Sequence, residues 1–195
     1  MSIRTTAILN LKGGVAKTTT AINMAAILAR DHKKRVLIAD GDSQCNTTEF
    51  FGADTRVGNL AKVLRGASLY EDPGKYAASV IQKTQYKNVD ILPGSDELMD
   101  LDLSKVEQGT VNSNVLRYLV EEVRDSYDVI LIDCPPAFNA ASAAALIAAD
   151  DVIIPIKLDA FSLRGMGNLM RHSPLRRSSS ASVREARNES ARTAS

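Results

Sequence analysis

The chain has no tryptophan and only 5% aromatic residues, too few for the stacked platforms that hold single-stranded nucleic acids. Its two cysteines, Cys45 and Cys134, lie far apart. They make neither a disulfide framework nor a C-x-x-C metal or cluster site, and a reducing cytoplasm is the expected compartment. No apolar run approaches the roughly 20 residues of a membrane span, and the first residues lack the apolar stretch of a signal peptide. An excess of one charge is missing too: 24 Lys and Arg face 23 Asp and Glu, for a net charge of +1. Residues 172–195 hold five arginines (Arg176, Arg177, Arg184, Arg187, Arg192) and two glutamates (Glu185, Glu189), which leaves residues 1–171 with 19 basic and 21 acidic side chains. No strong basic face is expected on that body.

What is present is a chain of 195 residues with 45% hydrophobic content, enough for one domain with a substantial core. Short aliphatic runs at residues 5–9, 35–39, 89–92, 129–132 and 152–156 predict strands. Between them, helices are predicted at residues 17–30, around Leu60, Val63 and Leu64, at 114–124, at 140–149 and at 163–171. This alternation implies an α/β fold with a mostly parallel sheet and helices on both faces. In the first helix Ile22, Ala25, Ala26 and Ala29 form the expected buried stripe; in the helix at 114–124 it is Val115, Leu116, Leu119, Val120 and Val123. From His172 onward apolar periodicity stops and seven of 24 residues are serine, a composition that favours disorder. The expected organisation is one domain over residues 1–171 followed by a Ser/Arg/Ala-rich tail over 172–195. The change of character at His172 suggests a chain that is truncated or read there from another frame, with a natural basic tail as the weaker alternative.

The most informative segment runs from Asn10 to Thr19, N-L-K-G-G-V-A-K-T-T. It follows a predicted strand and opens a predicted helix, where backbone N–H groups converge on an anion. The glycine pair lets the backbone approach phosphate oxygens without a Cβ in the way. Lys17 offers an ammonium to the β- and γ-phosphates and Thr18 a hydroxyl to Mg²⁺. The strict pattern G-x-x-x-x-G-K-[ST] is not met: Leu11 and Ala16 occupy its glycine positions, and Lys12 precedes the glycine pair. A methyl at position 16 suits such a loop if its φ is negative. The plain alternative is a glycine turn between a strand and a helix.

Two carboxylate groups stand at predicted strand ends, where open α/β sheets bind ligands. Asp40-Gly41-Asp42-Ser43-Gln44 follows the strand V-L-I-A, and Asp133 closes the run V-I-L-I before Cys134-Pro135-Pro136. Four buried aliphatics ending in an aspartate is the Walker B pattern, with Asp133 facing Mg²⁺ directly or through water. Acidic turns and caps are the plain readings of both segments. Cys134 reads as a small core residue, since no histidine is near it in sequence.

Lys12-Gly13-Gly14-x-x-Lys17-Thr18 resembles the deviant Walker A loop of the ParA/MinD family of P-loop ATPases. Asp40-Gly41-Asp42-Ser43-Gln44 is similar to that family's D-x-D-x-Q segment. Asp133-Cys134-Pro135-Pro136 and residues 148–155 resemble its ParA branch, and the likeness extends over residues 3–171. The resemblance implies a P-loop NTPase fold, ATP and Mg²⁺ as cofactors, and ATP hydrolysis. Lys12, Gly13, Gly14, Val15, Ala16, Lys17, Thr18 and Thr19 would line the nucleotide, and Thr18, Asp40 and Asp133 would lie at the metal. Asp42 would position the hydrolytic water, and Lys12 would reach across a dimer interface to the partner's nucleotide. The implied role is plasmid or chromosome partitioning by a homodimer formed on ATP binding and stimulated by a centromere-binding, ParB-like partner. The implied location is the cytoplasm or, through DNA, the nucleoid. Non-specific DNA binding belongs to the full-length family and is carried largely by a C-terminal part that this chain is expected to lack.

Relatives within that family are distinguished by features this sequence does not show. A MinD-like membrane-cycling ATPase for positioning cell division needs a C-terminal amphipathic helix, an iron–sulfur carrier needs paired cysteines, and a bacterial tyrosine kinase needs a tyrosine-rich tail, whereas none of the five tyrosines lies beyond Tyr127. A truncated, non-catalytic nucleotide-binding or interaction module is the alternative from a different class.

Overall fold

Every aliphatic run predicted as a strand pairs into one six-stranded sheet in the computed structural model, which describes residues 3–66 and 69–157. The helix predicted at 163–171 and the tail at 172–195 lie outside the described residues. In chain order the elements are β1 (Arg4–Ile8), α1 (Lys17–Arg30), β2 (Val36–Asp40), α2 (Asn46–Phe51), α3 (Leu60–Gly66), α4 (Pro73–Ser79), β3 (Gln82–Lys83) and β4 (Val89–Leu92). A 3-10 helix (Asp96–Asp100), α5 (Leu103–Glu107), α6 (Val115–Glu122), β5 (Val129–Asp133), α7 (Ala140–Ala148) and β6 (Asp151–Ile153) follow. The strand order is β3-β4-β2-β5-β1-β6. All pairs are parallel except the short β3, which runs antiparallel to β4 at one edge.

Continuous aliphatic strands of this kind belong to sheets covered on both faces, and the period-2 alternation of side chains shows how the two faces are shared. Leu37, Ala39, Ile130 and Ile132 join the core beneath α3, α6 and α7, whereas Val36, Ile38 and Leu131 join the core beneath α1. β2 is buried at all five positions. Helix α1 contains neither glycine nor proline, and alanine favours its formation. Its buried stripe is Ala21, Ala25 and Ala29, led by Lys17. The expected stripe is thus rotated: Ala26 is exposed and Ile22 only half-buried. Methyl-sized side chains one turn apart let the helix lie close on the sheet, and the bulkier Ile22 is displaced to the rim. α6 buries Val115, Leu116 and Leu119 as expected, with Val123 just past its end.

The elements that periodicity missed are all short. α2, α4 and α5 span six, seven and five residues and, unlike the seven-residue α3 with Leu60, Val63 and Leu64, carry no full i, i+3, i+4 set of large aliphatics. Local caps start two of them. Asp72 accepts the Lys75 amide at 2.9 Å ahead of Pro73, and Asp102 accepts the Lys105 amide at 3.2 Å, each satisfying an N–H that the helix cannot. Among the described residues, no helix is long and apolar enough to cross a membrane.

Connectivity creates the site. The β1–α1–β2 crossover passes over β5, and β5–α7–β6 passes over β1. The carboxyl ends of β1, β5 and β2 therefore lie side by side, with Ile8 opposite Asp133 and Asp133 opposite Asp40. The loops that follow these three strands converge at one end of the sheet, where ligands bind in such folds.

Candidate functional site

The loop expected to hold phosphate spans Asn10 to Ala16 between β1 and α1. Asn10 is buried and ties the loop down twice: its Oδ1 accepts the Lys12 amide at 3.0 Å and its Nδ2 donates to the Pro155 carbonyl at 2.9 Å. Gly13 and Gly14 are exposed, with open space where a Cβ would stand, and Gly14 has φ +67°. Leu11, in a glycine position of the strict pattern, is half-buried against the core. Val15 is buried and anchors the middle of the loop, while Lys12 and Thr18 are half-buried and Thr19 is exposed.

Ala16 departs from expectation. Its φ is +65°, in the left-handed region, so the negative φ that a methyl group prefers is not what the loop provides. Its carbonyl begins α1, accepting from both the Thr20 amide at 2.9 Å and the Thr20 hydroxyl at 2.7 Å. A non-glycine residue held there costs roughly 1–3 kcal/mol, against about 0.5–1 kcal/mol of extra chain entropy that glycine would lose on folding. Ala16→Gly is therefore expected to stabilise the fold by about 1 kcal/mol. Urea unfolding measures this, and a destabilised variant would contradict the strained-loop reading.

Behind the loop lie one cation and three carboxylates. Lys17 is 7% exposed and donates to the Lys12 carbonyl at 3.3 Å. Burial pulls its ammonium below the ordinary lysine range, and the negative charges of Asp42 and Asp133 oppose that fall. Asp133 is 1% exposed. Its Oδ2 accepts the Thr47 hydroxyl at 2.7 Å, while its Oδ1 is buried with no hydrogen-bond partner among the described residues. Desolvation raises the Asp133 pKa, and the hydrogen bond from Thr47, with the Thr18 hydroxyl close by, acts against the rise. Asp42 lies in the turn after β2, 8% exposed, with Oδ1 accepting the Gln44 amide at 3.0 Å.

Asp40 is completely buried and both its oxygens are engaged. Oδ2 accepts the Thr48 amide at 2.8 Å and the Thr48 hydroxyl at 2.6 Å; Oδ1 accepts the Asp42 amide at 3.1 Å. Burial pushes its pKa up to about 6, with Asp133 nearby adding to the rise. In this geometry Asp40 organises the loop that carries Asp42. Gly94 completes the arrangement from the end of β4. Its amide donates to the Thr48 hydroxyl at 2.8 Å, and a Cβ there would stand 2.9 Å from the Asp40 carbonyl oxygen. Cys134 is buried, and burial raises its thiol pKa far above the ordinary range, in keeping with a core role.

The structure thus brings Lys12, Lys17, Thr18, Asp40, Asp42 and Asp133 to one end of the sheet. Thr47, Thr48 and Gly94 were not found from sequence. The only available signal was the pair of threonines following the acidic turn, which reads equally well as an ordinary helix start. An orphaned buried carboxylate oxygen beside a threonine hydroxyl and a lysine suits a divalent cation bound together with phosphate. Mg²⁺ takes one or two protein oxygens in such sites and fills its octahedron with water and phosphate. No group of three or more His, Cys, Asp or Glu suited to holding a metal by themselves occurs among the described residues.

The chain is similar to known proteins over most of its length. The chain matches the model of an AAA domain family over residues 3–180. It is 40% identical over 177 residues to the chromosome partitioning protein ParA of Caulobacter vibrioides, covering 87% of this chain and 61% of that protein. It is 34% identical over 168 residues to the sporulation initiation inhibitor protein Soj of Bacillus subtilis, covering 84% and 62% respectively. Among solved structures, it is similar to cobyrinic acid a,c-diamide synthase from Mycobacterium smegmatis with bound ADP and magnesium, at a TM-score of 0.71 and 28% identity. That match covers 87% of this chain and 66% of the synthase. The chain spans about three fifths of the length of the curated relatives it matches.

Proposed function

Because the chain belongs to the AAA domain family and has ParA and Soj partitioning proteins as relatives, we propose that it is a ParA-like ATPase. It binds ATP with Mg²⁺ on the Lys12–Thr19 loop and uses ATP-dependent dimerisation to drive plasmid or chromosome partitioning. The observation that carries this reading is the buried Asp133 oxygen without a partner, facing the end of the sheet where Lys17 and Thr18 converge. A buried carboxylate oxygen without a partner calls for an explanation, and a bound cation supplies one.

In the proposed site the loop amides and Lys17 hold the phosphates, and Thr18 and Asp133 hold the metal, with Asp40 behind them. Mg²⁺, when bound, neutralises charge on the β- and γ-phosphates. Asp42 orients the attacking water, held toward the site by its hydrogen bonds to Gln44 and Asp40. Lys12 stabilises charge on the γ-phosphate of a second subunit, the role of an arginine finger supplied in trans. Residues 1–171 would then act as the ATPase domain. A ParB-like partner and DNA would complete the cycle in the cytoplasm, with DNA contacts resting on family likeness because this body is not basic.

The decisive test is the oligomeric state of the wild type and Lys12→Ala with ATP and Mg²⁺, read by analytical ultracentrifugation. The wild type is expected to dimerise. Lys12→Ala is expected to bind ATP but stay monomeric, with turnover at least about tenfold lower, the loss expected when one charged contact to the reacting phosphate is removed. A wild type that remains monomeric with saturating ATP would overturn the switch.

A further inference from the structure

We propose that Thr47 is a positioning residue for the metal site: its hydroxyl holds Asp133 Oδ2 so that Oδ1 is presented to the divalent cation. The inference rests on the reading of Asp133 as a metal-facing carboxylate. It goes beyond that reading by assigning the residue that sets how well Asp133 performs the task.

Three observations carry it. First, Thr47 is fully buried, and its hydroxyl donates to Asp133 Oδ2 at 2.7 Å across a sequence separation of 86 residues. A threonine in the first turn of a helix usually caps its own backbone, whereas this one spends its donor on the end of a different strand. Second, the two carboxylate oxygens are unequal: Oδ2 has this partner and Oδ1 has none among the described residues. A hydrogen bond to one oxygen stops the carboxylate from rotating and selects the other oxygen for the ligand, as outer-shell partners do in metal sites generally.

Third, α2 is held at both ends, so the donor sits on a rigid support. A helix of six residues does not persist alone in water. At its start Thr48 is bound to Asp40 and Gly94. At its end Phe51 meets Tyr86 edge-on at 5.6 Å, and Phe50 stacks on Tyr86 at 5.9 Å. The adjacent threonines divide the labour: Thr47 serves the carboxylate at the end of β5, and Thr48 serves Asp40, which holds the Asp42 amide.

The test compares ATP affinity in EDTA with ATP affinity in Mg²⁺, measured with a fluorescent ATP analogue. Thr47→Val keeps volume and branching but removes the donor. It is expected to leave the affinity in EDTA unchanged and to lower the gain conferred by Mg²⁺ about tenfold, within the usual range for losing an outer-shell partner. Thr47→Ser is expected to restore that gain. An unchanged Mg²⁺ gain in Thr47→Val, or an equal loss with and without Mg²⁺, would overturn the inference. Should Thr47→Val not fold, Thr47→Cys supplies a similar volume with a weaker donor; an intermediate gain supports the role and a wild-type gain overturns it. A wild type that binds the analogue equally with and without Mg²⁺ would instead overturn the metal-dependent ATP reading itself.

Discussion

Lys17→Ala is expected to weaken ATP binding about a hundredfold or more. Lys17 is the only buried cation among the described residues. The fold keeps it there against the cost of desolvation, with the Lys12 carbonyl and the charges of Asp42 and Asp133 as compensation. A phosphate chain would meet an ammonium already stripped of most of its water, and such a contact is far stronger than one at the surface. Truncating one partner of a buried, hydrogen-bonded charge pair costs roughly 2–5 kcal/mol, and each 1.4 kcal/mol is about tenfold in affinity. Lys17→Arg is expected to rescue poorly, because a planar fork does not replace a compact point charge in a confined loop. Titration with a fluorescent ATP analogue, beside a thermal unfolding control, measures the effect. Wild-type affinity in Lys17→Ala would remove the loop from the nucleotide site.

Asp42→Asn is expected to lower ATP turnover by about 10²–10³ while ATP affinity stays within about threefold of the wild type. Loss of a positioned group that takes up or orients a proton costs on this scale. Asparagine keeps an oxygen to accept the Gln44 amide, so the turn after β2 and the phosphate loop have no reason to move. The separation of turnover from binding is the diagnostic result. Phosphate release and equilibrium binding on the same preparation read both quantities. A parallel loss of binding and turnover would mean that Asp42 supports the loop and does not orient water.

Much of the fold was legible because its longer elements carry their own signals. The runs around β1, β2, β4 and β5 are uniformly aliphatic, and the only parallel arrangement that hides both faces of each strand is a sheet between helix layers. α1 was legible to its exact bounds, but its buried face was not. Alanine and isoleucine are both apolar to a periodicity reading, and only contact with the sheet separates Ala25 from Ala26. The short helices α2, α4 and α5 left no period to read. The candidate site divides in the same way. Lys12, Lys17, Thr18, Asp42 and Asp133 stood out because motif spacing ties them to strand ends. Ala16 concealed its left-handed backbone, since nothing in an alanine announces φ +65°. Asp40 stood out as an acidic residue, but its engagement by Thr48 and the Asp42 amide depends on α2 folding back over the end of β2.

The sequence by itself determined the α/β architecture and the identity of the charged groups at three strand ends, because periodicity and loop chemistry are local properties of the chain. Only the tertiary structure decided which oxygen of Asp133 is spent and which is left over, that Asp40 supports Asp42 from behind, and that Thr47, Thr48 and Gly94 belong to the site at all. Thr47 meets Asp133 across 86 residues and Gly94 meets Thr48 across 46, and the desolvation that makes even the local bonds to Asp40 count does not exist until those segments come together.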